Sequence, residues 1–88
     1  MSKNIEDKRK RLIFRSWHRG TQEIDLILGR FAEVQLPDFN EAQLDLYDKF
    51  LQNNDPDIFN WISGKELIPQ SESNEIVLLI MKFFKTAL

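Results

Sequence analysis

The sequence has no cysteine, a single histidine (His18), three glycines and no long apolar run. Without cysteine there is neither a disulfide scaffold nor a thiolate metal site. One histidine leaves a zinc centre or a His-based triad without its partners, so no metal is expected. The few glycines form no phosphate-cradling loop, and Ser2, Ser16, Ser63, Ser71 and Ser73 fall in tail, helix or capping contexts without a base beside them. No stretch approaches the ~20 consecutive apolar residues of a membrane span. The first residues include Glu6 and Asp7 and lack an apolar centre, so they read as neither signal nor transit peptide, and the cytoplasm is the expected compartment. A chain of 88 residues has room for one domain, 1–88, with a thin stability margin and no space for a series of βαβ units. These absences argue against a self-contained enzyme and for a small binding or assistance module.

What the sequence does hold is charge, unevenly distributed. Residues 1–20 contain seven Lys/Arg against two Asp/Glu, net +5, and residues 21–88 contain five against twelve, net −7. A basic head on an acidic body suits an acidic partner, a nucleic acid, or simple self-complementarity in which the first helix docks on the rest.

Five helices and no strand follow from the periodicity. The first spans about Asn4 to His18, with Ile5, Leu12, Ile13 and Phe14 as its apolar content, and Gly20 ends it as a residue tolerant of the left-handed region. The second spans about Thr21 to Gln35 with Ile24, Ile27, Leu28 and Phe31 on one face, until Leu36-Pro37-Asp38 breaks it. Asn40 caps the third, Gln43 completes a capping box, Phe39 staples onto Leu44, and Leu44, Tyr47 and Leu51 lead an apolar face to about Gln52. Asp55 caps the fourth, with Pro56 at its first position, then Ile58, Phe59, Trp61 and Ile62, and Ser63-Gly64 ends it. Ser71 or Ser73 caps the fifth, which carries Ile76, Leu79, Ile80, Phe83 and Ala87 to about Thr86. The fold class is all-α, a single small five-helix bundle with short loops.

Four features bear on function. Arg19-Gly20-Thr21-Gln22-Glu23 reads either as a helix stop or as a rigid corner presenting a guanidinium and a carboxylate on an exposed surface, with Gly20 letting another backbone approach closely. Asp55-Pro56-Asp57-Ile58-Phe59-Asn60-Trp61 reads as a helix start with core aromatics, its two aspartates open to a partner. Lys8 to Arg11, with Arg15, Trp17, His18 and Arg19, either track phosphates and stack on a base or form a solvated face. His18 fits a helix C-terminus, where its ring complements the dipole.

The first two features together resemble the flavinator family, the succinate dehydrogenase assembly factor 2 proteins of mitochondria and the bacterial FAD assembly factors. The resemblance rests on Arg-Gly-x-x-Glu followed by Ile24-Asp25, then Asp-Pro-Asp-Ile-Phe-Asn-Trp some thirty residues later, and runs from about Leu12 to Met81. It implies a five-helix protein that binds the flavoprotein subunit of succinate dehydrogenase or fumarate reductase and promotes covalent attachment of FAD to it. It further implies that no cofactor is bound tightly here, FAD being handled on the partner. Carried over by position, the partner-binding residues are Arg19, Gly20, Glu23 and Asp25, with Asp55, Pro56 and Asp57 opening the second motif. His18 stands where many members have a second arginine. A monomer without enzymatic activity is expected. The competing reading is a nucleic-acid- or toxin-binding regulator that uses the basic first helix.

Overall fold

The computed structural model describes residues 2–87, and the side chains of 5–86. Five helices follow one another: α1 (Ser2–Trp17), α2 (Gln22–Gln35), α3 (Glu41–Leu51), α4 (Asp55–Ile62) and α5 (Glu75–Ala87). No strand occurs among the described residues, so the all-α reading holds.

Local chemistry accounts for the helix ends. Thr21 accepts from the Ile24 amide to open α2. Past Gln35 the chain does not break abruptly but tightens into a single 3-10 turn, Leu36–Asp38, with Pro37 at its start. The capping box of α3 forms as expected: Asn40 Oδ1 accepts from Gln43 N at 2.8 Å and Gln43 Oε1 from Asn40 N at 2.9 Å. Two expected caps are displaced. Asn54, not Asp55, caps α4, accepting from Asp57 N at 2.9 Å. Asn74, not Ser71 or Ser73, serves α5, its Oδ1 accepting from Ile76 N and Val77 N at 2.9 and 3.1 Å. Ser71 instead lies in a 3-10 turn, Gln70–Glu72. Gly64 supplies the left-handed residue after α4 with φ 83°. Gly20 does not: Gly64 alone has positive φ among the described residues, so Gly20 needs another explanation.

The core is built around α2 and α3. Ile24, Leu28, Phe31 and Ala32 meet Leu44, Tyr47, Phe50 and Leu51, with Ile58 and Ile62 of α4 and Ile76, Val77 and Ile80 of α5 closing over them. Phe39 and Leu44 are both buried in this cluster. Phe31 is its aromatic hub, 5.6 Å from both Tyr47 and Phe83 and 6.2 Å from Phe39. α1 adds Leu12 and the buried Ser16. Two apolar residues depart from the expected stripes: Phe14 and Leu79 are exposed. The Ala87 side chain lies outside the described residues.

α1 lies against α2 at Gly29, where there is no room even for a methyl group. The Trp17 ring covers Gly29 so closely that a Cβ there would sit 2.2 Å from a ring carbon, and Trp17 Nε1 donates to Glu33 at 2.8 Å. Deeper in the same interface, Ser16 Oγ donates to the Leu12 carbonyl at 2.7 Å and meets Tyr47 Oη at 2.5 Å.

Burial drives the Tyr47 hydroxyl well above the usual phenol range, against the opposing pull of its Ser16 hydrogen bond and of Arg19 and Arg15. In the unfolded chain a tyrosine titrates near 10, about. Its stabilising contribution is therefore complete below pH ~10 and is lost as pH rises beyond that, because only the unfolded state releases the proton. Urea unfolding of the wild type should weaken more steeply above pH ~10 than that of Tyr47→Phe, by up to about 1.4 kcal/mol per pH unit. Parallel pH profiles for the two proteins would contradict this.

Candidate functional site

The two sequence motifs meet at the turn between α1 and α2. Arg19 leaves the end of α1 and turns inward. Its Nε donates to Asp55 Oδ1 at 3.0 Å, Nη1 to the Leu51 carbonyl at 2.8 Å and Nη2 to the Asn53 carbonyl at 2.8 Å. These carbonyls lie at the C-terminal end of α3, where the helix leaves acceptors without intrahelical donors, so one guanidinium closes α3 and holds the first turn of α4. Only 13% of the Arg19 side chain and 12% of the Asp55 side chain is exposed. The expectation of a guanidinium presented on an exposed surface is corrected here: the arginine of the motif works inside the molecule.

Asp55 is free for this task because Asn54 caps α4 in its place. Its second oxygen accepts from the Gly20 amide at 2.5 Å. A Cβ on Gly20 would stand 2.9 Å from that oxygen, so close approach, not backbone handedness, accounts for glycine at this position. Asp25, one turn into α2, accepts from the Arg19 amide at 2.6 Å. Thus Arg19, Gly20, Asp25 and Asp55 form one cross-linked corner that joins residues 36 apart in sequence.

Around the corner the remaining predicted residues divide. Glu23 is exposed, on the rim of a hollow of about 260 Å³ whose walls are Thr21, Ile24, Asp55, Pro56 and Phe59. Pro56 is exposed beside it, and Asp57 is half-buried in the first turn of α4. Phe59 lines this hollow although its position in the apolar stripe of α4 marks it for the core. His18 is on the other flank. Its Nδ1 donates to the Phe14 carbonyl at 2.7 Å, which ends α1 as expected for a C-terminal histidine, and its ring stacks on Phe14 at 4.0 Å. Asn53 extends the network beyond the motifs: its side chain donates to Glu72 Oε1 at 3.1 Å, tying in the segment before α5. Neither Asn53 nor Asn54 stands out in sequence, since paired asparagines after a helix read as an ordinary loop.

The basic run is largely engaged within the molecule. Lys8 pairs with Asp45, Arg9 with Glu6, and Arg15 with Asp48 at 3.0 Å. Arg9 also donates to the carbonyls of Leu36 and Phe39, each at 2.9 Å. Lys8, Arg15 and Arg19 thus tie the basic head to the acidic body, as self-complementarity requires, and the nucleic-acid- or toxin-binding alternative finds no support. Among the described residues no group of three or more His, Cys, Asp or Glu side chains is arranged to hold a metal ion, and no helix is long and apolar enough to cross a membrane.

Comparison with known proteins shows the family. The family model described as the flavinator of succinate dehydrogenase matches residues 10–84, which include both motifs. A protein of Dictyostelium discoideum named succinate dehydrogenase assembly factor 2, mitochondrial, is 42% identical over 81 residues, covering 92% of this chain and 57% of the relative. The protein of that name from Scheffersomyces stipitis is 51% identical over 57 residues, covering 65% of this chain and 38% of the relative. Assembly factor 2-B of Drosophila mojavensis is 38% identical over 78 residues, covering 86% and 50%. The chain spans about half the length of the curated relatives it matches. The family match takes in nearly the whole folded body, from the middle of α1 to the last turns of α5, and on that basis the chain belongs to the family of flavinators of succinate dehydrogenase.

Proposed function

We propose that this protein is an assembly factor that binds the flavoprotein subunit of succinate dehydrogenase, or of the related fumarate reductase, and promotes covalent attachment of FAD to it without being an enzyme itself. The observation that carries this reading is the corner at Gly20, where the two motifs of the family are bonded to each other through Asp55. Arg19, Gly20, Asp25 and Asp55 are positioning residues, and Glu23, with the hollow beside it and Pro56, is the surface they hold out to the partner. Asp57 stabilises the first turn of α4, and His18 lies on the other flank of the corner, against Phe14.

The flavin belongs on the partner in this scheme. The hollow at the corner carries the carboxylates of Glu23 and Asp55, whereas a flavin dinucleotide brings a negatively charged diphosphate. Its volume of about 260 Å³ also falls below the roughly 300–1,000 Å³ of pockets for ordinary small ligands. These residues do not fit the cofactor. What a rigid corner does provide is differential binding: by docking on one conformation of the flavoprotein it raises the population in which histidine and flavin are apposed. Positioning of this kind lowers barriers by up to about 7–11 kcal/mol. The protein is proposed to act as a monomer in the cytoplasm, a compartment that fractionation checks, since the relatives' names say mitochondrial.

Incubating apo-flavoprotein with FAD, with and without this protein, and reading flavin fluorescence on a denaturing gel tests the proposal. Addition of the protein should raise the covalent signal. Glu23→Ala should reduce it on the order of tenfold while leaving the unfolding transition within about 0.5 kcal/mol of wild type, as for other exposed positions. No gain over the protein-free control, or full gain with Arg19→Ala and Glu23→Ala combined, would sink the assignment.

A further inference from the structure

The outer face of α1 carries an arrangement that neither the core nor the Gly20 corner uses. Phe14 is 62% exposed, although a large apolar side chain gains by burial. It is held in place: its ring lies 4.0 Å from that of His18 with an interplanar angle of 19°, and His18 is itself fixed by its bond to the Phe14 carbonyl. Lys10, one turn before Phe14, and Arg11, beside it, are exposed on the same helix. Lys8, Arg9, Arg15 and Arg19 form ion pairs with acidic side chains, whereas among the described residues Lys10 and Arg11 form none. The other titratable groups nearby are Asp7, exposed one turn before Arg11, Glu6, paired with Arg9, and Glu33, bonded to Trp17.

We infer that this ridge of Lys10, Arg11, Phe14 and His18 is a second contact surface for the same flavoprotein, accepting an acidic patch with an apolar recess for the Phe14 ring. The inference rests on the proposed function for the identity of the partner. Two observations favour that occupant. The cations on the ridge complement an acidic surface, and an ordered exposed aromatic flanked by cations is the composition of an interface anchor. The ridge also ends at His18, one residue before Arg19 and Gly20, so a partner held at the corner sits at the end of α1 that carries Phe14. The Phe14–His18 stack lowers the cost of binding because the ring is ordered before the partner arrives.

Titration calorimetry of the full chain against the apo-flavoprotein subunit, at about 50 and 200 mM salt, tests this. Phe14→Ala should weaken binding on the order of tenfold at both salt concentrations. Lys10→Glu with Arg11→Glu should weaken it most at low salt and flatten the salt dependence. Leu67→Ala, at a loop residue 96% exposed, serves as the control and should bind as wild type does. Circular dichroism checks that each variant is folded. If Phe14→Ala and the double charge reversal bind within twofold of wild type while Glu23→Ala does not, the ridge is overturned and the proposed function stands. If the wild type fails to bind the flavoprotein, both fall. Binding of single-stranded DNA through the ridge, with no loss of flavoprotein affinity in the variants, also overturns it.

Discussion

Replacing Arg19 with alanine is expected to lower the free energy of unfolding by about 3 kcal/mol, a large share of the 5–15 kcal/mol typical of a folded domain. The change removes three hydrogen bonds at once and leaves Asp55, only 12% exposed, with the Gly20 amide as its remaining partner. Breaking one side of a buried ion pair costs ~3–5 kcal/mol, and the residual exposure of this pair puts it at the lower end. For a domain of this size the corresponding fall in Tm exceeds ~10 °C. Arg19→Lys should recover only part of the loss, since an ammonium holds the carboxylate but cannot span both carbonyls in the plane of a guanidinium. Urea and thermal unfolding measure both variants. A stability within about 0.5 kcal/mol of wild type would show that the guanidinium faces outward in solution and is available to the partner after all. The contrast with Glu23→Ala is the diagnostic: one substitution removes the corner, the other removes what the corner presents.

Gly29→Ala is the second large effect, and its sign is opposite to what helix propensity suggests. Alanine in a helix interior is favoured over glycine by about 1 kcal/mol. Here the added methyl would lie 2.2–2.5 Å from three ring carbons of Trp17, inside the van der Waals limit by more than an ångström. The indole must leave its seat, losing its bond to Glu33 and prising α1 from α2. Overpacking of this kind costs ~1–3 kcal/mol or more, enough to overcome the propensity gain. The decisive experiment is a double-mutant cycle. In a Trp17→Ala background the clash is gone, so Gly29→Ala should turn from destabilising to stabilising by up to about 1 kcal/mol. Equal effects in the two backgrounds would contradict the packing described.

The five helices were legible because each carries its own periodicity and punctuation. The stripe Ile24, Ile27, Leu28, Phe31 and the reciprocal caps of Asn40 and Gln43 are local relations, complete within one or two turns. What the chain conceals is decided at long range. Nothing near Arg19 says that its guanidinium turns inward, since its acceptors lie 32, 34 and 36 residues further on. The cap of α4 shifts by one residue because asparagine and aspartate cap about equally well, and Asp55 has the competing attraction of Arg19. Serines before α5 lost to Asn74 for a similar reason: several good capping residues stand in a row, and packing selects the register. Gly29 gave no signal at all, because a glycine inside a helix looks like a mild propensity defect until its neighbour across the interface is known. The residues that meet at the corner were legible as a group, through two motifs. The division of that group into side chains that turn inward and side chains that stay exposed was not, because it depends on which way each one points.

The bond between Gly20 and Asp55 spans 35 residues of chain. During synthesis α1 and α2 leave the ribosome well before residue 55 does, and until then Arg19 has neither its carboxylate nor the carbonyls of Leu51 and Asn53. A chain interrupted between α2 and α4 therefore contains the whole of the first motif yet lacks the clamp that orients it. The corner is in this way an indicator of completion: only chains translated through the start of the fourth helix possess it, and truncated copies carry the first motif without its clamp.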